Sequence, residues 1–368
     1  MSLRPVSPNH AIAIPGHAVC PRCGTRLDRS FSCADCNQSY PRIRSVRVLL
    51  REPSACLDYW RMQLGLVIQQ ADETARAIWN QASEPGIDSA TRRRLESLVG
   101  AVTDQVGDLT LVLGPALGGP LPPRNGVGLP RGATDYLSCI FRDWAWSDGH
   151  DEENERSLVA IRRVTAGTAL GRTLVLGAGA CRLAYDLHIH CGGTETAVVD
   201  VDPFLLVVAE AVIRGSVVSL TESSVNAPEV DPVGRRWVLE ASSGPLSEEA
   251  FHFFLADGTE PPFAECAFDT IVTPWFIDQV PSDLERLIRK LHGLLAPNGR
   301  WINHGPLIYR PDALPVARWY TRQEIFNLAS AVGFQVGAWE STSQPHFVSP
   351  LSGRGLLENV LTFEASRK

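Results

Sequence analysis

Residues Thr173–Ala184, TLVLGAGACRLA, decide the fold of this 368-residue chain. The first four, Thr173–Leu176, are apolar or β-branched and predict a buried strand of a parallel sheet. Gly177 and Gly179 then allow a tight turn and a ligand that lies against the backbone, because glycine has no Cβ. A helical segment follows the turn. The stretch therefore predicts the opening unit of an α/β nucleoside-binding fold.

Two further predicted strands are followed by acidic residues. Thr196–Val201 runs into Asp202, at roughly the distance from the glycine turn where such folds place a carboxylate on a ribose diol. Phe251–Leu255 is followed by Asp257 and Gly258. An acid at that strand end could accept a hydrogen bond from an adenine amino group, although the pair could also form a simple turn.

The glycine turn lacks the third glycine that completes a dinucleotide fingerprint. S-adenosylmethionine (SAM) has no pyrophosphate, so that glycine matters less for a SAM site. The order of glycine loop, ribose acid and adenine acid is typical of SAM sites and predicts SAM as the cofactor. A NAD-dependent reductase is the weaker alternative. The predicted cofactor contacts are Gly177, Gly179, Asp202, Asp257 and Gly258.

The composition is that of a globular protein with a formal net charge of -7. This charge argues against a general nucleic-acid binder, which usually carries a basic face. No apolar run reaches the length of a membrane span, and the N-terminal residues lack a signal-peptide pattern. We therefore expect a cytoplasmic protein without a membrane partner.

Four cysteines form two Cys-x-x-Cys pairs, Cys20/Cys23 and Cys33/Cys36. This spacing predicts a structural zinc site with four thiolate ligands, and disulfides or redox dithiols are the alternative. A segment this short buries little core, so the metal would supply folding free energy. Residues 18–50 resemble the zinc ribbons of tRNA and rRNA methyltransferases and their activator proteins. A ribbon of this kind could contact RNA or protein, or serve only as a folding module.

Three regions are predicted: a zinc ribbon (1–50), a helical segment with a Pro/Gly-rich linker or lid (51–133), and a cofactor domain (134–368). The Pro/Gly-rich stretch runs from Gly114 to Pro130. Apolar residues recur at helical spacing in the second region, as at Leu57, Leu64, Leu95 and Leu98. A polar insertion at 214–250 interrupts the alternation of strands and helices, and it could cover the ligand-binding edge.

Four motifs follow one another in the third region: Arg142–Trp144 with the acidic stretch 148–155, Gly177–Gly179 with Arg182–Ala184, Phe268–Thr273 with Phe276–Asp278, and Trp301–Tyr309. With these motifs, roughly residues 134–366 resemble the carnosine N-methyltransferase family. The resemblance implies a SAM-dependent methyltransferase with a doubly wound, seven-stranded Rossmann-like α/β sheet. It assigns Arg142 to the cofactor carboxylate, Gly177 to the cofactor loop, Asp202 to the ribose, Asp257 to the adenine neighbourhood and Asp278 to a substrate imidazole.

The chain departs from the family pattern on the substrate side. Cys139 stands where the family has a glutamine, and Arg310 stands where it has a histidine. The C-terminal tyrosines of the family are replaced by Gly355–Asn359. The resemblance therefore carries over better for the cofactor than for the substrate.

Asp278 follows the apolar run Ile271–Ile277, so we expect it at the carboxyl end of a strand, where open α/β sheets bind ligands. A carboxylate there could accept a hydrogen bond from one imidazole nitrogen and leave the other as the nucleophile. The alternative is an N-cap for the following helix. His304 could be a base or a buried histidine.

Three more residues are candidates for substrate binding. Arg310 could bind an anionic group of the substrate or be a surface arginine. Trp275 and Tyr309 could wall the pocket or be core aromatics.

The sequence thus predicts a SAM-dependent methyltransferase that modifies an imidazole-type nitrogen of a small molecule or peptide. An RNA methyltransferase, a natural-product O-methyltransferase and a non-catalytic SAM-binding partner protein are the alternatives. The oligomeric state is left open.

Overall fold

A computed structural model describes residues 12–117, 137–146, 152–226, 233–280, 283–309, 314–353 and 355–368. The helices are α1 (Pro53–Ala82), α2 (Ser89–Leu117), α3 (Leu137–Trp144), α4 (Glu152–Val164), α5 (Arg182–His190), α6 (Pro203–Ile213), α7 (Leu284–Leu294) and α8 (Arg322–Val332). The strands are β1 (Ser32–Cys33), β2 (Gln38–Ser39), β3 (Arg42–Ile43), β4 (Val46–Leu49), β5 (Gly171–Leu176), β6 (Gly193–Asp200), β7 (Val218–Ser223), β8 (Gly234–Leu239), β9 (Phe251–Ala256), β10 (Phe268–Pro274), β11 (Leu295–Gly305), β12 (Phe334–His346) and β13 (Leu356–Arg367).

The main sheet has nine strands in the order β12-β13-β11-β10-β5-β6-β9-β4-β3. Strands β4, β9, β6, β5, β10 and β11 run parallel, and β12, β13 and β3 are antiparallel to their neighbours. From β5 the chain moves outward to β6 and β9, and it then returns to the other side of β5 for β10 and β11. The seven strands from β12 to β9 form the predicted doubly wound fold, and the order reverses between β5 and β10, where such sheets bind ligands.

Apolar clusters cover both faces of the sheet, as a parallel sheet requires. Helices α1 to α6 contribute to the cluster on one face, and α7 and α8 contribute to the other. The N-terminal cysteine-rich segment contributes to both. Helix α8 begins as the sequence indicates, because Thr321 and Glu324 form a complete capping box.

Helix α6 is apolar on all sides, and every one of its residues is buried. The α1–α2 hairpin helps to cover it, with the rings of Trp60 and Phe204 5.0 Å apart. Glu210 is the one acid in this helix; it is 4% exposed, pairs with Arg44 Nε at 2.6 Å and accepts from Ser45 Oγ at 2.8 Å. The predicted helical segment thus serves as a second layer over the sheet.

The N-terminal segment that holds the four paired cysteines, residues 12–50, is named the cysteine-rich module. It does not stand apart from the sheet: its strand β4 pairs in parallel with β9, from Val46 opposite Phe253 to Leu49 opposite Ala256. A further isolated bridge joins Ala18 to Phe263. The module therefore extends the sheet at the edge where β9 would otherwise be exposed.

The insertion at 214–250 contains the hairpin β7–β8, which packs on α2. Asp108 of α2 accepts hydrogen bonds from the backbone N (2.9 Å) and Oγ1 (2.8 Å) of Thr221. Residues 118–130 of the predicted linker lie outside the described residues, and Gly114 and Pro115, at its predicted start, instead lie within α2. In the described chain, no helix combines the length and apolarity needed to cross a lipid bilayer.

Candidate active site

A cavity of about 950 Å³ opens at the carboxyl ends of β5, β6, β9 and β10. It has two sides, which we name by their residues. The glycine half comprises Gly177–Gly179, Asp200, Asp257 and Gly258; the aromatic half comprises Trp275, Asp278, His346, Phe347 and Glu358. No described residue of the 214–250 insertion lines the cavity, so the predicted cover over the ligand edge is not seen there.

Glycine is required in the glycine half by both conformation and space. Gly177 and Gly179 have φ values of +69° and +56°, in the left-handed region that favours glycine. A Cβ on Gly177 would lie 2.7 Å from the ring of Phe276, and one on Gly258 would lie 2.9 Å from the same ring. Phe276 therefore packs directly against both backbone segments that border the cavity.

Asp200 is the last residue of β6, and it lines the cavity. It accepts from the backbone N of Gly179 at 2.8 Å and from that of Asp202 at 3.0 Å. Burial raises the pKa of its carboxyl group. Asp200 thus ties the glycine loop to the neighbouring strand.

The sequence predicts that Asp202 contacts the ligand, whereas the structure gives its side chain a capping role. Asp202 does not line the cavity; it is the N-cap of α6 and accepts from the backbone N of Phe204 at 2.8 Å. The physical reason is the next residue, because Pro203 begins a helix and favours a capping aspartate before it. Burial, and then the charge of Asp200, raise the pKa of Asp202 to about 7.

Arg142 of α3 also lines the cavity. Its Nε lies 2.7 Å from Oδ1 of Asp143, and its guanidinium lies 5.1 Å from the centre of the Phe347 ring. Asp143 accepts from the backbone N of Arg182 at 3.4 Å, so α3 is attached to the start of α5 directly after the glycine loop. Asp257, also a lining residue, accepts from Thr259 Oγ1 at 2.7 Å and so forms a local turn at the same time.

Trp275 begins the aromatic half with a strained backbone. The strand predicted to reach Ile277 instead ends at Pro274, and Trp275 has a φ of +43°, which is unfavourable for a residue with a Cβ. A Cβ on Gly305 would lie 2.8 Å from the Trp275 backbone N, so the turn requires glycine there. The indole donates to Glu358 Oε2 at 2.9 Å and stacks on His346 with ring centres 5.1 Å apart.

Asp278 is 2% exposed and lines the cavity. Its Oδ2 accepts from the backbone N of Ile308 at 3.1 Å, whereas its Oδ1 is buried without a hydrogen-bond partner among the described residues. Burial raises its pKa to about 6, although the Ile308 N–H opposes the shift. The N-cap of α7 is Asp283, so the alternative capping role does not fall to Asp278.

The model of the carnosine N-methyltransferase family matches residues 131–349, more than half of the chain. The chain belongs to the carnosine N-methyltransferase family. It is a SAM-dependent methyltransferase. No curated protein matches the sequence at a significant level.

Among solved structures, this family member is similar to methyltransferases at low identity and with TM-scores below 0.5. NodS from Bradyrhizobium japonicum, an N-methyltransferase solved with S-adenosyl-L-homocysteine, is 15% identical over 63% of this chain and 97% of its own, with a TM-score of 0.41. A SAM-dependent methyltransferase from Methanosarcina mazei is 14% identical over 53% and 92%, with a TM-score of 0.36. Phosphoethanolamine N-methyltransferase 2 from Haemonchus contortus, solved with SAM, is 14% identical over 58% and 52%, with a TM-score of 0.37.

Two other predicted site residues of this carnosine N-methyltransferase family member lie away from the cavity. His304 is fully buried behind Trp275 and bonds Thr362 Oγ1 through Nδ1 at 2.8 Å; burial lowers its pKa to about 3. The hydroxyl of Tyr309 donates to the backbone O of Tyr320 at 3.1 Å. Neither residue lines the cavity, because β11 directs His304 into the core and Tyr309 is held by the segment before α8. Arg310 lies outside the described residues.

Three residues of the aromatic half of this family member, His346, Phe347 and Glu358, were not predicted from the sequence. His346 bonds Glu153 Oε1 through Nδ1 at 2.7 Å, and the Phe347 backbone N donates to Glu153 Oε2 at 3.0 Å. Glu358 completes the wall from β13. The acidic stretch that includes Glu153 was visible in the sequence, but nothing in it indicated a contact 193 residues away.

The four paired cysteines of the cysteine-rich module converge as predicted. Their Sγ atoms all lie within 4.8 Å of one another, with Cys20 and Cys36 3.9 Å apart and Cys23 and Cys33 3.5 Å apart. A tetrahedral zinc ion with bonds of about 2.3 Å to sulfur needs thiolates roughly 3.8 Å apart. The donor set and its spacing therefore fit zinc.

Proposed function

We propose that this protein transfers a methyl group from SAM to an imidazole-type nitrogen of a small molecule or peptide. The observation that carries the proposal is the unpartnered Oδ1 of Asp278, a buried acceptor on a cavity wall. A neutral imidazole has one N–H donor and one lone pair. If Asp278 accepts from the N–H, the lone pair of the other nitrogen is free to attack.

The glycine half fits SAM. The loop at Gly177 and Gly179 leaves no side chain between the backbone and a ligand, and each Asp200 oxygen keeps a lone pair for a ribose hydroxyl. Asp257 and Gly258 would border the adenine, and Arg142 would pair with the carboxylate of the cofactor. When bound there, SAM supplies an electrophilic methyl group on a sulfonium.

The aromatic half supplies position rather than covalent chemistry. Trp275 and Phe347 present ring surfaces that would hold a flat acceptor and exclude water from it. Asp278 would set the rotation of the acceptor ring. Methyl transfer depends mainly on alignment of the nucleophile with the leaving sulfur, and such positioning supplies much of the rate enhancement.

The first test is binding and transfer with the full chain. Calorimetry should show binding of SAM and no binding of NADH. Incubation with SAM and L-histidine, carnosine or a histidine-containing peptide should add one methyl group to a ring nitrogen, as read by mass spectrometry and NMR. Methyl transfer only to RNA or to a hydroxyl compound would contradict the proposal and favour one of the alternatives.

The cysteine-rich module is proposed to bind one structural zinc ion per chain. Elemental analysis should find one zinc, and Cys33→Ser should lose it and lower the melting temperature, because β4 would lose its support beside β9. Cys56→Ser, on α1, is the matched control and should keep the metal. Metal-free protein with an unchanged melting temperature would refute the site. Four reduced thiols in this arrangement also suit the predicted cytoplasmic location.

A further inference from the structure

We propose that Glu358 selects acceptors in which the imidazole carries a cationic amino group, and disfavours acceptors in which it carries a carboxylate. This inference rests on the proposed function, because it names the substrate class of the same cavity. Glu358 is 13% exposed in its side chain and lines both the cavity and a neighbouring groove of about 400 Å³. It therefore stands where an acceptor would leave the cavity.

The charges of the aromatic half are not balanced among the described residues. Its carboxylates are Glu358 and Asp278, with Glu153 behind His346. Arg142 is the one described arginine or lysine that lines the cavity, and its guanidinium lies 2.7 Å from Asp143 and 3.7 Å from Glu153. The positive charge of Arg142 is thus paired with carboxylates other than Glu358.

The contacts of Glu358 leave it able to take a ligand cation. Its Oε2 accepts from the Trp275 indole at 2.9 Å, a neutral donor that does not compensate the charge. His346 Nε2 lies 4.0 Å from the same oxygen, beyond hydrogen-bond distance, and the other ring nitrogen is engaged by Glu153. An ammonium group on the acceptor would supply the missing positive charge.

The surroundings of Asp278 independently indicate a ligand that carries a positive charge or a hydrogen-bond donor. Its Oδ1 is buried on the cavity wall without a partner among the described residues, and an unpaired buried acceptor is costly until a donor arrives. The negative charge of Glu358 adds to the burial that raises the Asp278 pKa. A ligand with an N–H toward Asp278 and an ammonium toward Glu358 would relieve both costs.

An apolar side chain accompanies Asp278 and Glu358 in the cavity. Ile308 lines both the cavity and the neighbouring groove, whose other lining residues, besides Glu358, are Leu307, Leu357, Leu361, Ser341, Asn359 and Arg322. The Arg322 guanidinium lies 3.8 Å from the centre of the Trp339 ring, and Arg322 does not line the cavity. The methylene chain that links an imidazole to its amino group would contact Ile308.

The test uses three acceptors that differ only in the group attached to the ring: histamine (ammonium), 4-methylimidazole (neutral) and imidazole-4-acetate (carboxylate). With saturating SAM, we expect kcat/KM to fall in that order, by about tenfold or more between the first and the last. Glu358→Gln keeps an oxygen that can accept from Trp275 but removes the charge. It should raise the KM for histamine about tenfold and lower the ratio of kcat/KM for histamine to kcat/KM for 4-methylimidazole by a similar factor.

Glu364→Gln is the matched control, because Glu364 lies on the same strand but does not line the cavity. It should keep the order of the three acceptors. If histamine is no better than 4-methylimidazole, or if Glu358→Gln weakens both acceptors equally, the inference is overturned. If SAM binds and carnosine or a histidine-containing peptide is methylated but histamine is not, the inference is also overturned. If no imidazole acceptor is methylated although SAM binds, the proposed function fails instead, so the two failures are distinguishable.

Discussion

In the glycine half of the cavity, the geometry is set by backbone groups and by the absence of side chains. In the aromatic half, the geometry is set by side chains from segments that are distant in the sequence. Gly177 and Gly258 are required because a Cβ would meet Phe276. By contrast, Trp275, His346 and Glu358 hold one another by a stacked contact and a hydrogen bond. A site shaped by backbone groups is less sensitive to side-chain substitution than a site shaped by side chains. The difference predicts that cofactor binding and acceptor choice can be altered separately in this protein.

The largest effect is expected from substitution of Asp278, which should slow methyl transfer and leave SAM binding intact. Asp278→Asn has one acceptor oxygen instead of two, so it cannot serve both Ile308 N and a ring N–H. We expect kcat to fall by roughly 100-fold or more while the Kd for SAM stays within about threefold. The measurement is steady-state kinetics combined with calorimetry. Asp283→Asn should behave as wild type, since asparagine caps α7 as well as aspartate does. Loss of SAM binding in Asp278→Asn would show that the halves are not separable.

A smaller effect is expected in the glycine half, where substitution of Asp200 and of its neighbour Asp202 should change SAM binding differently. Asp200→Asn should raise the Kd for SAM by about 10- to 100-fold, because a carboxylate is the stronger acceptor for ribose hydroxyls. Asp202→Asn should leave that Kd within about threefold, since asparagine retains the cap of α6. Calorimetric titration of both variants checks the pair. The reverse result would return the ribose role to Asp202.

The smallest expected effect is on stability and depends on pH. The pKa of Asp278 is about 6 in the folded protein and 3.8 for a free aspartate, so the folded state holds this proton more tightly. The contribution to stability is complete below pH 4 and is lost as pH rises through about 6. Asp278→Asn should therefore melt a few degrees above wild type at pH 8 and near wild type at pH 4. If the variant and the wild type melt at the same temperature at both pH 4 and pH 8, burial does not destabilise the ionised carboxylate of Asp278.

The glycine half could be predicted largely from sequence because its signals are local. The strand, turn and helix around Gly177 are continuous in the chain, and Asp257 and Gly258 directly follow a strand. Asp200 was overlooked in favour of Asp202, although the proline after Asp202 is itself a helix-cap signal. The spacing of the four cysteines likewise predicted their convergence.

The aromatic half could not be predicted in the same way because its contacts are long-range. Glu153 and His346 are 193 residues apart, and neither is part of a motif that names the other. Trp275 was placed in a strand by its apolar neighbours, but Gly305 allows a tight turn there. His304 lies in a motif beside the site, yet its side chain is directed into the core, and residue type alone does not report that direction.

The pairing of β4 with β9 has a consequence for how the molecule is made. The cysteine-rich module is synthesised about 200 residues before β9, so it is available on the ribosome when β9 emerges. A truncated version that starts at α1 would lack this partner and present four residues of unpaired backbone to other chains. Expression of the catalytic region alone should therefore give aggregates, even though every residue that lines the cavity is retained.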